Sequence, residues 1–313
     1  MKDLLLRLSS SIRTSVRPWV LAAKGGEVVG RAHSGDATFK VDEVAEQELS
    51  NFLKEINLPL ACFSEDKGLV MPRKGQPEWL LIVDPIDGSR NAKSGFEGCM
   101  VSVALARYSE CPRLSDVTHG LLYEIVVDRA FYGEMGKPAE IISENKTLSP
   151  VLSANDDLKL LRWSLTVPGR PAALIFGLMA DLIDASSVKG GFFSCNSTCY
   201  SISRILTGQQ DAYVDPANRM ARDFPNTEMR FREIADGRIT GFSSYDIAAA
   251  FLIAKQAGIT ITDAYGKPLD DMEILDVSAA NLRSCVAAAN GSLHSKLLDY
   301  IEEHMKTSQA MER

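Results

Sequence analysis

Leu80-Leu81-Ile82-Val83-Asp84-Pro85-Ile86-Asp87-Gly88-Ser89-Arg90-Asn91 decides how the rest of the chain is read. Four apolar residues run into two carboxylates, a glycine and a hydroxyl. An apolar run this short, bounded by turn residues, reads as a buried strand. Pro85 fixes its own φ and pushes Asp84 to extended geometry. Asp84 and Asp87 are then held close together at a strand end, where they repel unless a cation lies between them. Mg²⁺ meets that need, because it takes a few carboxylates and keeps waters or phosphate oxygens as its other ligands. Gly88 would let backbone N–H groups approach an anion, and Ser89 can open a helix whose N-terminus favours phosphate. Asp-Pro-x-x-Gly is also ordinary turn chemistry. By itself the stretch leaves a plain turn and a metal site both open.

Composition narrows the setting. With 313 residues, 45% of them hydrophobic and 24% charged, the chain has material for one large core or two smaller ones. No apolar run approaches the ~20 residues that span a bilayer. The amphipathic start, Met1 to Arg7, lacks the apolar core of a signal peptide. A soluble, cytoplasmic protein is expected. The net charge of −7 and pI near 5.3 argue against a nucleic-acid-binding face. An acidic surface also repels phosphate, and a bound metal would offset that. The six cysteines include no Cys-x-x-Cys pair, and four of them read as buried small hydrophobes. The four scattered histidines suggest no zinc site.

Working outward from the strand, apolar periodicity predicts a helix over 2–23, kinked or split at Pro18, and a second from Thr38 to Ile56 capped by Asp36. Asp42 lies near the start of that second helix, where the helix dipole alone would favour it. Ala61-Cys62-Phe63 reads as a strand, followed by the acid pair Glu65-Asp66. Strands over 100–106, 118–123 and 129–132 form an antiparallel meander, and 133–157 reads as turn-rich. The division falls near here, giving halves of 1–150 and 151–313. The second half begins with a strand at 163–167 and a helix over 171–183. A strand-like segment, a helix over 198–206 and a strand over 211–215 come next. Residues 216–243 read as an irregular, charged excursion. Asp246 opens the clearest helix, Ile247–Ala257, where a capping role would explain it without further function. A strand pair turning at Tyr265-Gly266-Lys267, a strand over 285–289 and a helix over 292–306 complete the chain.

Together these stretches resemble the Mg²⁺-dependent inositol monophosphatase superfamily, which includes archaeal-type fructose-1,6-bisphosphatases and nucleotide 3′-phosphatases. The likeness rests on Asp84-Pro85-Ile86-Asp87-Gly88-Ser89, on Glu65-Asp66 and on Tyr245-Asp246-Ile247-Ala248-Ala249-Ala250, with a looser match over Gly35–Asp42. The resemblance implies an α+β fold, a layered α-β-α-β-α sandwich, with most metal ligands in the first half. It implies that Glu65, Asp84 and the Ile86 carbonyl hold one Mg²⁺, and that Asp84, Asp87 and Asp246 hold a second. A third, looser ion would lean on Glu65. Asp42 and Ser89 would orient the attacking water, and the N–H groups of Gly88 and Ser89 would receive phosphate. Asn196, Ser197 and Thr198 fall where the family lines its sugar site.

Several positions depart from the family pattern. Ser64 replaces a glycine, Asp66 a glutamate, Tyr245 a tryptophan and Ala250 a glycine, yet no implied metal ligand is lost. Phe193 stands near a position that is often basic, which weakens a bisphosphatase reading; Arg170 and Lys189 are the candidates to compensate. The resemblance implies hydrolysis of a small sugar or inositol phosphate, by an enzyme of a family whose members are commonly homodimers. The alternatives are a nucleotide 3′-phosphatase and a member serving mainly as a regulatory binding protein.

Overall fold

The computed structural model describes residues 1–311 apart from 32–36, 57, 73–74, 145 and 240. Helix α1 (Lys2–Leu21) runs unbroken through Pro18, which falls in its last turn and so interrupts little of the ladder. A ribbon of β1 (Val28–Arg31) and β2 (Ala37–Phe39) leads into α2 (Lys40–Glu55). The expected cap, Asp36, lies outside the described residues. The helix instead begins with Asp42 Oδ2 accepting the Phe39 N–H at 2.8 Å.

The first large sheet contains β3 (Leu60–Ser64), β4 (Gly68–Val70) and β5 (Trp79–Asp87). After a short helix α3 (Ser89–Lys93) come β6 (Met100–Arg107), β7 (Val117–Glu124), β8 (Arg129–Glu134), β9 (Glu140–Ser143) and β10 (Lys146–Leu148). Their order is β10-β9-β8-β7-β6-β5-β3-β4, antiparallel except for β3 beside β5. The segment expected to be turn-rich therefore carries the β9–β10 hairpin. Its second strand is exposed throughout, so no apolar alternation marked it.

The second half supplies β11 (Arg162–Leu165), α4 (Ala172–Ser186), β12 (Gly191–Phe193), α5 (Thr198–Leu206) and β13 (Ala212–Asp215). It continues through α6 (Ala217–Asp223), α7 (Glu228–Ile234), α8 (Ser244–Ala257), β14 (Thr260–Thr262), β15 (Cys285–Ala288) and α9 (Gly291–Met311). The five-stranded sheet is ordered β12-β11-β13-β15-β14 and is mixed. The 216–243 excursion is ordered helix over much of its first part, 217–234. It forms α6 and α7, anchored by buried Phe224 and Phe231 and by Arg219, which pairs with Asp223 and Glu302. Their shortness and charged outer faces hid them. The turn at 265–267 closes through Asp263, but β14 pairs with β15 rather than with the segment just past the turn.

Three apolar cores explain the layering. α1 and α2 bury Leu8, Ile12, Val41 and Leu49 against one face of the large sheet, at Leu81, Val83 and Val101. The other face, at Phe63, Ile82 and Phe131, receives α5 and α8 through Ile202, Ile205, Phe251 and Ile253. The small sheet meets that middle helix layer through Tyr213 and Ala287, and its outer face packs α4 and α9. The order of layers is α-β-α-β-α.

Candidate active site

β5 does not stop where its apolar run ends. It continues through Pro85 to Asp87, with a bulge against β6: Asp84 faces Ser102 and Asp87 faces Met100. A bulge leaves a residue outside the ladder, so proline is tolerated in an otherwise central strand. Asp84 Oδ1 accepts the Ile86 N–H at 3.0 Å. Gly88 follows at φ +95°, where an added Cβ would stand 2.6 Å from the Gly98 carbonyl. Only glycine fits that turn without displacing backbone. Asn91 then ties the turn across the molecule, its Nδ2 donating to the carbonyls of Gly98 and Cys195, each at 2.6 Å.

These elements meet in a cleft of about 170 Å³. Glu65, just past β3, lines it, together with Asp84, Ile86, Asp87, Gly88 and Ser89 from the bulge turn. The second half contributes Arg170, Asn196, Ser197, Thr198 and Asp246. A niche of about 10 Å³, lined by Asp42, Glu65, Asp66, Asp84 and Ser89, adjoins it. That is about the room one water needs. Asp246 is also the cap that its position suggested, with Oδ2 accepting the Ser243 N–H at 2.6 Å. Ser197 caps α5 and donates its hydroxyl to Asp87 Oδ2. Its side chain thus holds an acid in addition to facing the cleft.

The charges are unbalanced. Burial pushes the Asp84 carboxyl well above its usual range, and the neighbouring carboxylates of Glu65, Asp87 and Asp246 push it further. Burial also raises Asp87, against the hydrogen bonds from Ser197 and Cys199. Asp42 is pushed up to about 6, chiefly by burial, and the Phe39 N–H and Ser89 hydroxyl pull the other way. Its Oδ1 is buried and accepts no hydrogen bond from the described residues. A hard divalent cation suits this donor set, since oxygen ligands and negative charge are what it requires. Among the described residues, no three acids, histidines or cysteines are yet drawn into a ready coordination group.

Arg170 is mostly buried, and Asp215 takes one of its terminal nitrogens at 2.5 Å while the Pro168 carbonyl takes the other. Lys189 and Phe193 do not line the cleft, so Lys189 cannot compensate for the missing basic group there. Sequence reasoning missed Arg90, an exposed cation on the cleft wall, and the Thr166–Gly169 turn. Arg90 could have been found from its place one residue after Ser89. The turn carries no periodic signal.

A layered α+β sandwich of this kind is a fold already seen in solved structures. The extragenic suppressor protein of Bartonella henselae matches with a TM-score of 0.70 at 17% identity, over 96% of this chain and 97% of that one. The chain belongs to the inositol monophosphatase family, whose model matches residues 7–306. Among relatives, it is 26% identical to a fructose-1,6-bisphosphatase/inositol-1-monophosphatase of Methanothermobacter thermautotrophicus, over 96% of each chain. It is 24% identical to a bifunctional NADP phosphatase/NAD kinase of Methanococcus maripaludis, over 95% of this chain and 48% of that protein.

Proposed function

We propose that the protein is a Mg²⁺-dependent phosphomonoesterase acting on a small sugar or inositol phosphate. The observation that carries the reading is the convergence of Glu65, Asp84, Asp87 and Asp246, from both halves of the chain, on one cleft. Those carboxylates and the Ile86 carbonyl would hold two or three Mg²⁺. Bound there, Mg²⁺ supplies a water of lowered pKa and neutralises charge on the ester.

The chain's own residues do the rest. The niche between Asp42, Glu65 and Ser89 would seat the attacking water, with Asp42, whose carboxyl burial pushes up to about 6, placed to take its proton. Gly88 and Ser89 would present backbone N–H groups to the phosphate. Asn196, Thr198 and Arg170 would meet the sugar, and Asp246 would serve both an ion and a substrate hydroxyl. Arg170 has its terminal nitrogens engaged, which favours a monophosphate over a bisphosphate. We also propose that 1–150 and 151–313 act as two halves closing on the cleft, in a cytoplasmic homodimer. The described residues include no helix long and apolar enough to cross a membrane.

Phosphate release from inositol 1-phosphate, fructose 1,6-bisphosphate and adenosine 3′,5′-bisphosphate, with and without Mg²⁺, tests the reading. NADP belongs in the panel because of the Methanococcus relative, although a cleft of about 170 Å³ suits a monosaccharide better than a dinucleotide. Turnover of none of these would leave the regulatory binding role.

A further inference from the structure

Four carboxylates line the cleft, but among the described residues only two cations do, Arg170 and Arg90. Arg170 is committed, with its terminal nitrogens on Asp215 and the Pro168 carbonyl. Arg90 is the reverse case. It is exposed, and its guanidinium makes no hydrogen bond or ion pair with any described residue. Its backbone is nonetheless fixed. It is the second residue of α3, between Ser89, whose hydroxyl donates to the Ile86 carbonyl at 3.0 Å, and Asn91, whose side chain bonds the Gly98 and Cys195 carbonyls. Lys93, three residues on, lies on the same side of the helix. Its ammonium stands 3.9 Å from the centre of the Phe39 ring, another part of the cleft wall. The α3 side of the cleft is therefore positive, whereas its other charged walls are acidic.

A guanidinium with its donors free, on a firmly held turn, is arranged to take an anionic group. It pairs a carboxylate through two parallel N–H···O bonds, one positive charge against one negative. A second phosphate would bring two charges and leave one of them uncompensated among the acids. We infer that the alcohol portion of the substrate carries a carboxylate read by Arg90, so that the substrate class is a phosphorylated sugar acid. This rests on the phosphomonoesterase reading, and it narrows the substrate without altering the metal site.

The test uses matched esters that differ only in a carboxylate against a hydroxymethyl group: 6-phosphogluconate with glucitol 6-phosphate, and 3-phosphoglycerate with glycerol 3-phosphate. In saturating Mg²⁺, phosphate release should favour the acid of at least one pair by about tenfold or more in kcat/KM, the scale of a charge-assisted pair. Arg90→Gln should erase that preference by slowing the acid. Arg90→Lys keeps the charge, loses the fork and should retain part of it. Equal kcat/KM within both pairs would overturn the inference. So would an Arg90→Gln loss as large for the neutral esters as for the acids, which would place Arg90 on the reacting phosphate. Inositol 1-phosphate separates the two kinds of failure, because its turnover without any acid preference leaves the phosphatase reading standing. Should no ester turn over, that reading fails, and calorimetric Kd values for the same unhydrolysed esters decide whether Arg90 still selects the carboxylate.

Discussion

Ser197 Oγ donates to Asp87 Oδ2 across 2.6 Å, joining residues 110 positions apart. The Cys199 N–H bonds the same oxygen, also at 2.6 Å. The N-terminus of α5 thus sets the orientation of an acid on β5. Outer partners of metal-binding acids typically contribute 10–100-fold to metal affinity or activity. Ser197→Ala should lower kcat/KM by about that factor and raise the Mg²⁺ concentration needed for half-activity. An unaltered Mg²⁺ titration would remove the positioning role.

Asp87→Asn goes further, because it alters the proposed ligand itself. Activity should fall by more than about 100-fold, beyond the usual effect of an outer partner. The fold should remain, since asparagine can still accept from the Cys199 N–H. Circular dichroism and phosphate release measured together decide it, and an active variant refutes the role.

Gly88→Ala combines a left-handed φ with a Cβ placed 2.6 Å from the Gly98 carbonyl. Strain of this kind costs on the order of 1–3 kcal/mol. Urea unfolding should show that loss, with activity falling as the bulge turn shifts. A variant as stable as the parent would mean that the turn relaxes freely.

Asp42 gives the pH prediction. Its folded pKa, about 6, lies above the ordinary 3.8. Its contribution to stability is therefore complete below about 4 and is lost as pH rises through about 6. Asp42→Asn copies the neutral form. In EDTA, the variant should gain on the parent as pH rises from about 4 to about 7, by up to about 3 kcal/mol. A difference that does not vary with pH would show that folding leaves the Asp42 pKa unshifted.

Mg²⁺ should also stabilise the folded chain, because it offsets the charge around Asp84. At a hundred times Kd the gain is about 2.7 kcal/mol. Melting curves in Mg²⁺ and in EDTA measure it, with K⁺ at equal ionic strength as the control. No shift would count against the carboxylates as a metal site.

The central strand and its acids were readable because apolar run, proline, glycine and carboxylate each carry a local meaning. The meander and α8 were readable for the same reason, and Asp246 proved to be a cap and a cleft residue at once. What escaped was set by tertiary contact. Nothing local says that Ser197 holds Asp87, or that Arg170 is taken up by Asp215. The helices within 216–243 are too short to show periodicity, and Arg219 reads as surface charge until Glu302 is brought beside it from α9.

The placement of α8 bears on how the molecule is made. This helix follows β10 by almost a hundred residues, yet it covers the inner face of β6, β7 and β8. On the ribosome that face has no α8 to cover it for roughly 5–20 s at the usual 5–20 residues per second. Over that interval the nascent chain presents a bare apolar plane, the kind of surface on which incomplete chains associate before they can become enzymes.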